Sequence, residues 1–289
     1  MKTRFSSAFE DQLIATSKSA LIELIRTLRP YREGIVLIGG WVPYLLIESH
    51  RAPGDNFRHV GSIDNDLIVD PNRVRDDEYQ TIVELIGETG WEQVPSKQFT
   101  FEKSIKGKDD VDRDITVDFL TTQNKGEERE HRHRGVQSDL RARTMVGAEL
   151  GLEHNYWYHM KGEMNNGAVT EFSFKMLDVV GCIGTKGIAL GDRYKHKDAY
   201  DIVSVLDHYG DGVNEVARIF KPFVNETQIQ ESLKNCITCF RMKNQKDLCC
   251  MQIFWNQLIK SKGKSLHKEV LCSSLNSWQN YDCMSRLDL

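Results

Sequence analysis

The sequence lacks a long apolar run. Its N-terminal segment mixes charged residues with apolar ones, so it has neither the continuous apolar stretch of a secretory signal nor that of a membrane span. With 289 residues and 40% hydrophobic composition, the chain can still bury one large core or two smaller ones. We therefore expect a globular protein of the cytoplasm with two packed lobes and no membrane partner.

A disulfide framework is also missing. The chain has seven cysteines, an odd number, and six of them lie in its last quarter, so reduced thiols are expected. Cys236 and Cys239 have the spacing of half a zinc site, but no second pair with matching spacing follows. We interpret them as ordinary cysteines on the face of a helix.

The sequence also has no excess of positive charge. A net charge of −4 and a pI near 6.2 exclude a protein that binds nucleic acid through its overall charge, although a local basic patch could contact RNA. The Arg/His run at 129–134 is one such patch. It lies in a highly charged segment, residues 124–143, which we interpret as a surface loop or a connection between lobes. Trp157 and Tyr158 could stack on a base, but aromatic residues in strand-like segments usually belong to the core.

The apolar spacing predicts a fold of the α+β class. Helices are predicted at residues 5–28, 41–47, 74–86, 179–190, 198–209, 213–220 and 227–240. Strands are predicted at residues 35–38, 62–69, 91–94, 98–105, 114–120, 156–160 and 169–177. We expect a mixed sheet with flanking helices in residues 1–125, a mainly helical lobe in 126–240, and an atypical cysteine-rich tail in 241–289.

Three aspartates are the candidate metal-binding and catalytic residues of this sequence. Alternation along residues 62–69 places Asp64 and Asp66 on one face of a strand, and a neighbouring strand could bring Asp118 beside them. Such a cluster is unstable without cations, and two Mg²⁺ ions held by oxygen ligands would suit it and support an in-line displacement at phosphorus. Asp118 is also placed to act as a general base toward an acceptor hydroxyl.

Residues for the phosphates of a nucleotide precede these carboxylates. Gly39 and Gly40 follow a strand and open a helix, so the backbone N–H groups there can approach a triphosphate. Ser62 adds a hydroxyl beside Asp64. Each feature is common by itself, but their ordered combination is not.

This order of residues resembles the signature of the DNA polymerase beta-like nucleotidyltransferase superfamily. The matching residues are Gly39-Gly40, then Ser62-x-Asp64-x-Asp66, then Asp118. The resemblance implies a mixed sheet of the polymerase beta-like kind and an enzyme that uses an NTP. The distance from the glycines to Asp64 is longer than in the smallest members, which indicates an inserted loop at residues 48–60.

A second motif, at residues 185–202, looks like the Lys, Ala-Leu, Arg, Lys-Asp and Tyr-Asp motif of the AbiEii/AbiGii toxin family. Together the resemblances cover about residues 30 to 210. They imply a toxin-type nucleotidyltransferase of a bacterial toxin–antitoxin or abortive-infection system, with a cognate antitoxin and, in some members, the 3′ end of tRNA as acceptor. Ser62, Asp64 and Asp66 fall on the family's metal and phosphate motif, and Lys186 and Asp198 fall on its later motifs.

The second motif has a physical interpretation as an NTP-binding helix. Lys186 could neutralise triphosphate charge, assisted by Arg193 or Lys195, and Asp198 and Asp201 could orient these cations. The alternative is a solvated network of charges spaced four residues apart on the surface of a helix.

Two other functions remain open at this point. One is a small-molecule nucleotidyltransferase of the antibiotic-modifying kind, in which Gly39-Gly40-Trp41 also occurs. The other is a non-catalytic binding module or antitoxin with the same fold, against which the presence of all three carboxylates argues.

Overall fold

A single mixed β-sheet organises the part of the chain that this computed structural model describes, residues 2–75, 80–123, 132–193, 195–243, 251 and 253–258. The strands are β1 (Ile35–Ile38), β2 (Asn65–Val69), β3 (Glu92–Gln93), β4 (Thr100–Lys106), β5 (Asp112–Thr121), β6 (His133–Gly135), β7 (Arg141–Thr144), β8 (Asn155–Glu163) and β9 (Val169–Leu177). Their order is β3-β4-β5-β2-β1-β9-β8, with β7 beside the end of β5 and β6 beside β7.

Helices lie before, between and after these strands along the chain, and they form all the elements after β9 that the structure describes. They are α1 (Lys2–Thr27), a 3-10 turn (Arg29–Tyr31), α2 (Trp41–His50), α3 (Ile82–Glu88), α4 (Ala148–Glu153), α5 (Val179–Asp192), α6 (His196–His208), α7 (Val213–Phe220) and α8 (Thr227–Lys243). The predicted mixed sheet with flanking helices, followed by a mainly helical C-terminal part, is confirmed. Among the described residues, no helix combines the length and the apolar character needed to cross a bilayer.

The centre of the sheet is buried because its strands are short apolar runs. All four residues of β1 are buried, as are Leu67, Ile68 and Val69 of β2. β2 runs antiparallel to β1 and parallel to β5, and its first residues pair with the second half of β5, Asn65 with Val117 and Asp66 with Asp118. Helix α1 buries Ala20, Leu21 and Leu24 completely, as its predicted amphipathic spacing requires.

Three sequence expectations differ from the structure. Of the helix expected at 74–86, residues 76–79 lie outside the described residues, and the described helix begins at Ile82, where Thr81 and Glu84 form a reciprocal capping box. The segment expected as a loop, 124–143, contains strands β6 and β7, and β7 extends the sheet beside β5. Helix α4 was not expected, since its six residues are too short for a periodic signal. Residues 124–131 of the charged segment lie outside the described residues.

The chain divides into two compact units. Unit 1 comprises residues 1–45 and 58–185, and unit 2 comprises residues 46–57 and 186–289. Strands β6 to β9, which lie in the range expected as a mainly helical lobe, join the same sheet as the earlier strands. In unit 2 the inserted loop is anchored on α6, where Asp55 Oδ2 lies 2.7 Å from His208 Nδ1 and the Phe57 ring stacks on the His208 ring at 3.8 Å.

The cysteines on α8 are those of an ordinary helix. Cys236 is fully buried, Cys239 is half-buried, and neither forms a disulfide among the described residues. Burial raises the pKa of the Cys236 thiol to about 12, so this side chain is a neutral core group. The cysteine-rich tail beyond residue 258 lies outside the described residues.

Candidate active site

A row of four paired residues crosses the central strands at the edge where β2 begins. Asp66 on β2 is paired in register with Asp118 on β5, and the row continues to Ile38 on β1 and to Thr100 on β4. Register partners on neighbouring strands point to the same face of a sheet, about 4.5–5.5 Å apart at Cβ. The structure therefore brings Asp66 and Asp118 side by side, as the sequence predicted.

Asp64 belongs to the same face. It lies two residues before Asp66, in the bend before β2, and its Oδ1 accepts a hydrogen bond of 2.8 Å from the Thr116 hydroxyl. Thr116 lies two residues before Asp118 on β5, so the two side chains share a face, as those of Asp64 and Asp66 do. Strand β2 begins at Asn65 rather than at residue 62, which leaves Asp64 exposed while Asp66 and Asp118 are half-buried.

Threonine hydroxyls orient two of the three carboxylates. Thr100 Oγ1 donates to Asp118 Oδ1 at 2.6 Å, as Thr116 does to Asp64. Each bond occupies one carboxylate oxygen and restricts the rotation of the group. Sequence reasoning did not find these threonines. The alternation that paired Asp64 with Asp66 would have found Thr116, but Thr100 is brought in only by strand pairing.

The backbone at Gly39 lies directly against the Asp66 carboxylate. It has a φ of +76°, a left-handed conformation that favours glycine, and a Cβ at this position would overlap the Asp66 side chain. Gly40 is buried, and helix α2 begins immediately after it at Trp41. The glycine pair thus lets the first turn of α2 start right beside Asp66, with its N–H groups at a helix N-terminus.

The backbone before Asp64 is anchored to α1. The Ser17 hydroxyl donates to the carbonyl of Ile63 at 2.8 Å, and the Gly61 N–H donates to His59 Nδ1 at 3.1 Å. Ser62, between these two anchors, is 7% exposed. Sequence reasoning did not find Ser17, because its contact with Ile63 spans 46 residues.

Lys186 and its acidic partners form a separate group in unit 2. The Lys186 ammonium lies 2.6 Å from Asp201 Oδ2 and 3.5 Å from Asp198 Oδ1, and Lys197 lies 3.4 Å from Asp201 Oδ1. Lys186 is 7% exposed and Asp201 is fully buried. The alternative of a solvated surface network is therefore wrong for Lys186 and Asp201.

Arg193 and Lys195 lie apart from that group. Both are exposed and lie between α5 and α6, and Lys195 is the residue before α6 begins. Among the ion pairs of the described residues, neither joins Lys186, Asp198 or Asp201. The expected orientation of these two cations by the aspartates is not observed, because Asp198 and Asp201 point to Lys186 and Lys197 instead.

The donor set of the carboxylate row suits a hard divalent cation. In the residues described, no three acidic, histidine or cysteine side chains form a group that could hold a metal ion. Mg²⁺ at phosphate sites is usually held by one or two carboxylates and by substrate oxygens, so the Asp66–Asp118 pair meets that requirement without a closed cage.

No protein-family model matches the chain, and no curated protein matches it. Among solved structures, it is similar to an antigenic nucleotidyltransferase-like protein from Paracoccidioides brasiliensis. The sequence identity is 14% and the TM-score is 0.43, over 84% of this chain and 93% of that chain.

Proposed function

We propose that this protein is a metal-dependent nucleotidyltransferase that transfers NMP from an NTP to an acceptor hydroxyl, with RNA as the acceptor. The observation that carries the proposal is the register pairing of Asp66 with Asp118, with Asp64 on the same face two residues away. Three carboxylates on one half-open face repel one another unless a cation or a proton intervenes.

Mg²⁺ fits this donor set, and Asp66 and Asp118 would hold it, whereas Asp64 forms no three-residue metal group with them in the described residues. When bound, it neutralises the charge that develops on the phosphate oxygens. The threonine bonds to Asp64 and Asp118 fix one oxygen of each carboxylate, so the other oxygen has a defined direction.

The NTP would bind through backbone groups rather than through a cage of cations. Gly39 and Gly40 open the first turn of α2 beside Asp66, and the N–H groups there favour a triphosphate. Ser62 would add its hydroxyl. In unit 2, the buried Lys186 and Asp201 and the half-buried Asp198 would chiefly hold α5 and α6 together.

The reaction forms one P–O bond and breaks one. The acceptor hydroxyl oxygen attacks the α-phosphorus of the NTP, and the bond from that phosphorus to the pyrophosphate oxygen breaks. Asp118 Oδ1 is occupied by Thr100, so Oδ2 would take the proton of the hydroxyl. The products are the acceptor–NMP ester and pyrophosphate.

More specifically, we propose that the protein is a toxin that modifies the 3′ end of tRNA and is paired with an antitoxin. Support for it comes from the resemblance of residues 185–202, where Lys186, Asp198 and Asp201 form one ion-pair group. An antibiotic-type acceptor and a non-catalytic module are the competing outcomes of the experiment.

The test incubates the full chain with each α-labelled NTP, Mg²⁺ and total bacterial tRNA. Asp66→Asn is the inactive variant, and Asp114→Asn, an exposed aspartate on the same strand as Asp118, is the matched control. We expect labelled RNA with the wild type and the control and none with Asp66→Asn. Label on RNA that persists in Asp66→Asn would refute the site. Absence of label on RNA would refute the RNA acceptor.

A further inference from the structure

Strand β8 ends the sheet with a long outer edge. The main order of strands ends at β3 on one side and at β8 on the other. β3 has two residues, whereas β8 has nine and pairs only with β9 among the described strands. Proteins usually shorten, bend or cover such an edge, because its row of unpaired N–H and C=O groups can pair with another strand. The nine-residue edge of β8 is therefore open to pairing with a further strand.

The hydrogen bonds at the two ends of the β8–β9 hairpin show which backbone groups point outward. The Met164 N–H donates to the Ala168 carbonyl at 2.9 Å, and the Asp178 N–H donates to the His154 carbonyl at 3.1 Å. In an antiparallel ladder, residues that bond to the partner strand alternate with residues whose N–H and C=O point away from it. The even-numbered residues of β8 therefore bond to β9. The odd-numbered residues direct their N–H and C=O groups to the outer edge, and at the centre of the strand they are Trp157, His159 and Lys161.

The side chains of the odd-numbered residues share one open face of the sheet. Trp157 is 43% exposed, although the sequence predicted a core residue. The residues that follow it on this face, His159, Lys161 and Glu163, are also exposed. On the other face α1 covers the strand, where a Cβ at Gly162 would overlap Ile22. One face of β8 is thus packed against a helix and the other is open as far as the outer edge.

The outward residues of β8 complement a second copy of the same strand. Two antiparallel β8 strands related by a twofold axis at His159 would use all nine residues of each strand. Odd-numbered residues then face odd-numbered residues, so outward N–H groups meet outward C=O groups. Lys161 of one copy lies opposite Trp157 of the other, and Glu163 lies opposite Asn155. An ammonium beside an indole and a carboxylate beside an amide are both favourable cross-strand pairs.

The charges select this register among those that pair outward groups. An axis at Lys161 would place two ammonium groups directly opposite each other, which is destabilising. With the axis at His159, the two imidazoles face each other instead. Each is already bonded within its own copy, where His159 Nε2 lies 2.8 Å from Glu171 Oε1 on β9. The strand is therefore its own complement in the register that has the greatest length.

We propose that β8 pairs with β8 of a second copy of this chain, so that two sheets join into one across a twofold axis at His159. The second copy is the occupant because the charges of β8 are complementary to those of β8 itself. Asp64, Asp66 and Asp118 lie on other elements, so the proposal does not depend on NMP transfer.

Sedimentation velocity of the full chain over a wide range of concentration tests the association. We expect a species with twice the 33.2 kDa mass of the chain. A wild type that stays monomeric at every concentration would overturn the proposal, whatever other protein or segment meets this edge.

A proline at the axis tests whether backbone pairing holds the dimer. His159→Pro removes the outward N–H of each copy, and proline is tolerated on an edge strand where its nitrogen faces away from the sheet. The Kd of the dimer should rise about 30-fold, because two hydrogen bonds across the axis are lost. His159→Ala keeps both N–H groups and should stay within about 3-fold of the wild type. Equal dimerisation by the two folded variants, with folding checked by circular dichroism, would overturn the proposal.

Cysteine cross-linking tests the register without a proline. In His159→Cys the two introduced residues have Cα atoms about 5.5 Å apart, which is within reach of a disulfide. In Lys161→Cys, the matched control, the two residues are offset by about 13 Å along the strands and cannot be bridged. Oxidation should therefore give a covalent dimer with His159→Cys on a non-reducing gel. A yield no higher than that of Lys161→Cys would overturn the proposed pairing.

Discussion

At the scale of single residues, the alternation of side chains along β2 and β5 decides which face of the sheet each candidate group lies on. Asp64 and Asp66 are two residues apart, as are Thr116 and Asp118, and each pair therefore shares one face. The intervening Asn65 and Val117 are buried on the other side. A hydrogen-bonded threonine beside a carboxylate is thus a consequence of strand register.

Gly39 can be tested by a substitution that adds one carbon. Gly39→Ala forces alanine into a left-handed conformation, at a cost of about 1–2 kcal/mol, and pushes its Cβ into the Asp66 carboxylate. Displacement of a reacting group by about 1 Å lowers rates about 100-fold. We expect kcat/KM for NMP transfer to fall by at least that factor.

Gly90→Ala is the control for Gly39→Ala. Gly90 also has a positive φ, of 87°, but the nearest atom to a Cβ there is Lys103 Cε at 3.8 Å. It should lose stability to a similar degree and keep its transfer rate. If both variants transferred NMP equally well, Gly39 would have no role in positioning Asp66.

Lys186 belongs to a buried ion pair, so its substitution should act on the fold. Lys186→Ala leaves the fully buried Asp201 with the more distant Lys197, and breaking a buried pair in this way costs about 3–5 kcal/mol. We expect the urea midpoint of unfolding to fall accordingly, before any effect on NTP use can be measured.

Two further variants separate the buried pair from the exposed one. Lys197 is 46% exposed on its side chain, so Lys197→Ala should cost no more than about 1 kcal/mol. The double variant Lys186→Met/Asp201→Asn removes both charges and should recover part of the loss. A Lys186→Ala protein as stable as the wild type would contradict this account.

At the scale of elements, the β4–β5 hairpin is closed by one bidentate ion pair. Arg113 Nη1 and Nη2 each donate to an oxygen of Asp109 at 2.6 Å. The turn also contains Asp110, which has a φ of 59°. Because Asp118 lies on β5, this hairpin holds the strand that carries the candidate base.

The Asp109 pKa gives this hairpin a sensitivity to acid. Hydrogen bonding to Arg113 lowers the pKa of Asp109 from 3.8 to about 2, so the ionised form is favoured in the folded state. The stabilisation is complete well above pH 4 and is lost as the pH falls through the folded pKa. Asp109→Asn should therefore be less stable than the wild type at about pH 5, and the difference should shrink toward about pH 2.

Urea unfolding of both proteins at each pH measures this difference, with the exposed Asp112→Asn as control. A stability difference that stayed constant with pH would show that Asp109 does not titrate with a lowered pKa.

At the scale of the whole molecule, ligand binding and stability are linked. If Asp66 holds Mg²⁺ and NTP, their addition should stabilise the wild type by about 2.7 kcal/mol at 100 times Kd, and should stabilise Asp66→Asn far less. Without ligands, Asp66→Asn should be as stable as the wild type or more stable, because the variant removes one of three like charges from a single face.

Thermal unfolding with and without Mg²⁺ and a non-hydrolysable NTP analogue measures both effects, and Asp114→Asn should follow the wild type. An equal rise of Tm in Asp66→Asn would place the ligand elsewhere.

The local elements of this protein can be predicted from its sequence. Apolar periodicity predicted β1, β9 and α7 with the bounds that the structure shows, since these elements are set by short-range spacing. Alternation also predicted that Asp64 and Asp66 share a face, and the strand–glycine–helix pattern raised Gly39 as a candidate phosphate-binding residue.

Which distant residues come into contact, in contrast, is known only from the folded chain. Sequence spacing does not encode strand order, so the partners Thr100 and Ser17 and the exposure of Trp157 emerged only once the sheet was assembled. The same holds for Lys186 and Asp201, for which the sequence left an NTP-binding helix and a solvated network as alternatives: packing of α5 against α6 buries both side chains. Burial and long-range pairing are properties of the folded chain, because they depend on which surfaces exclude water together.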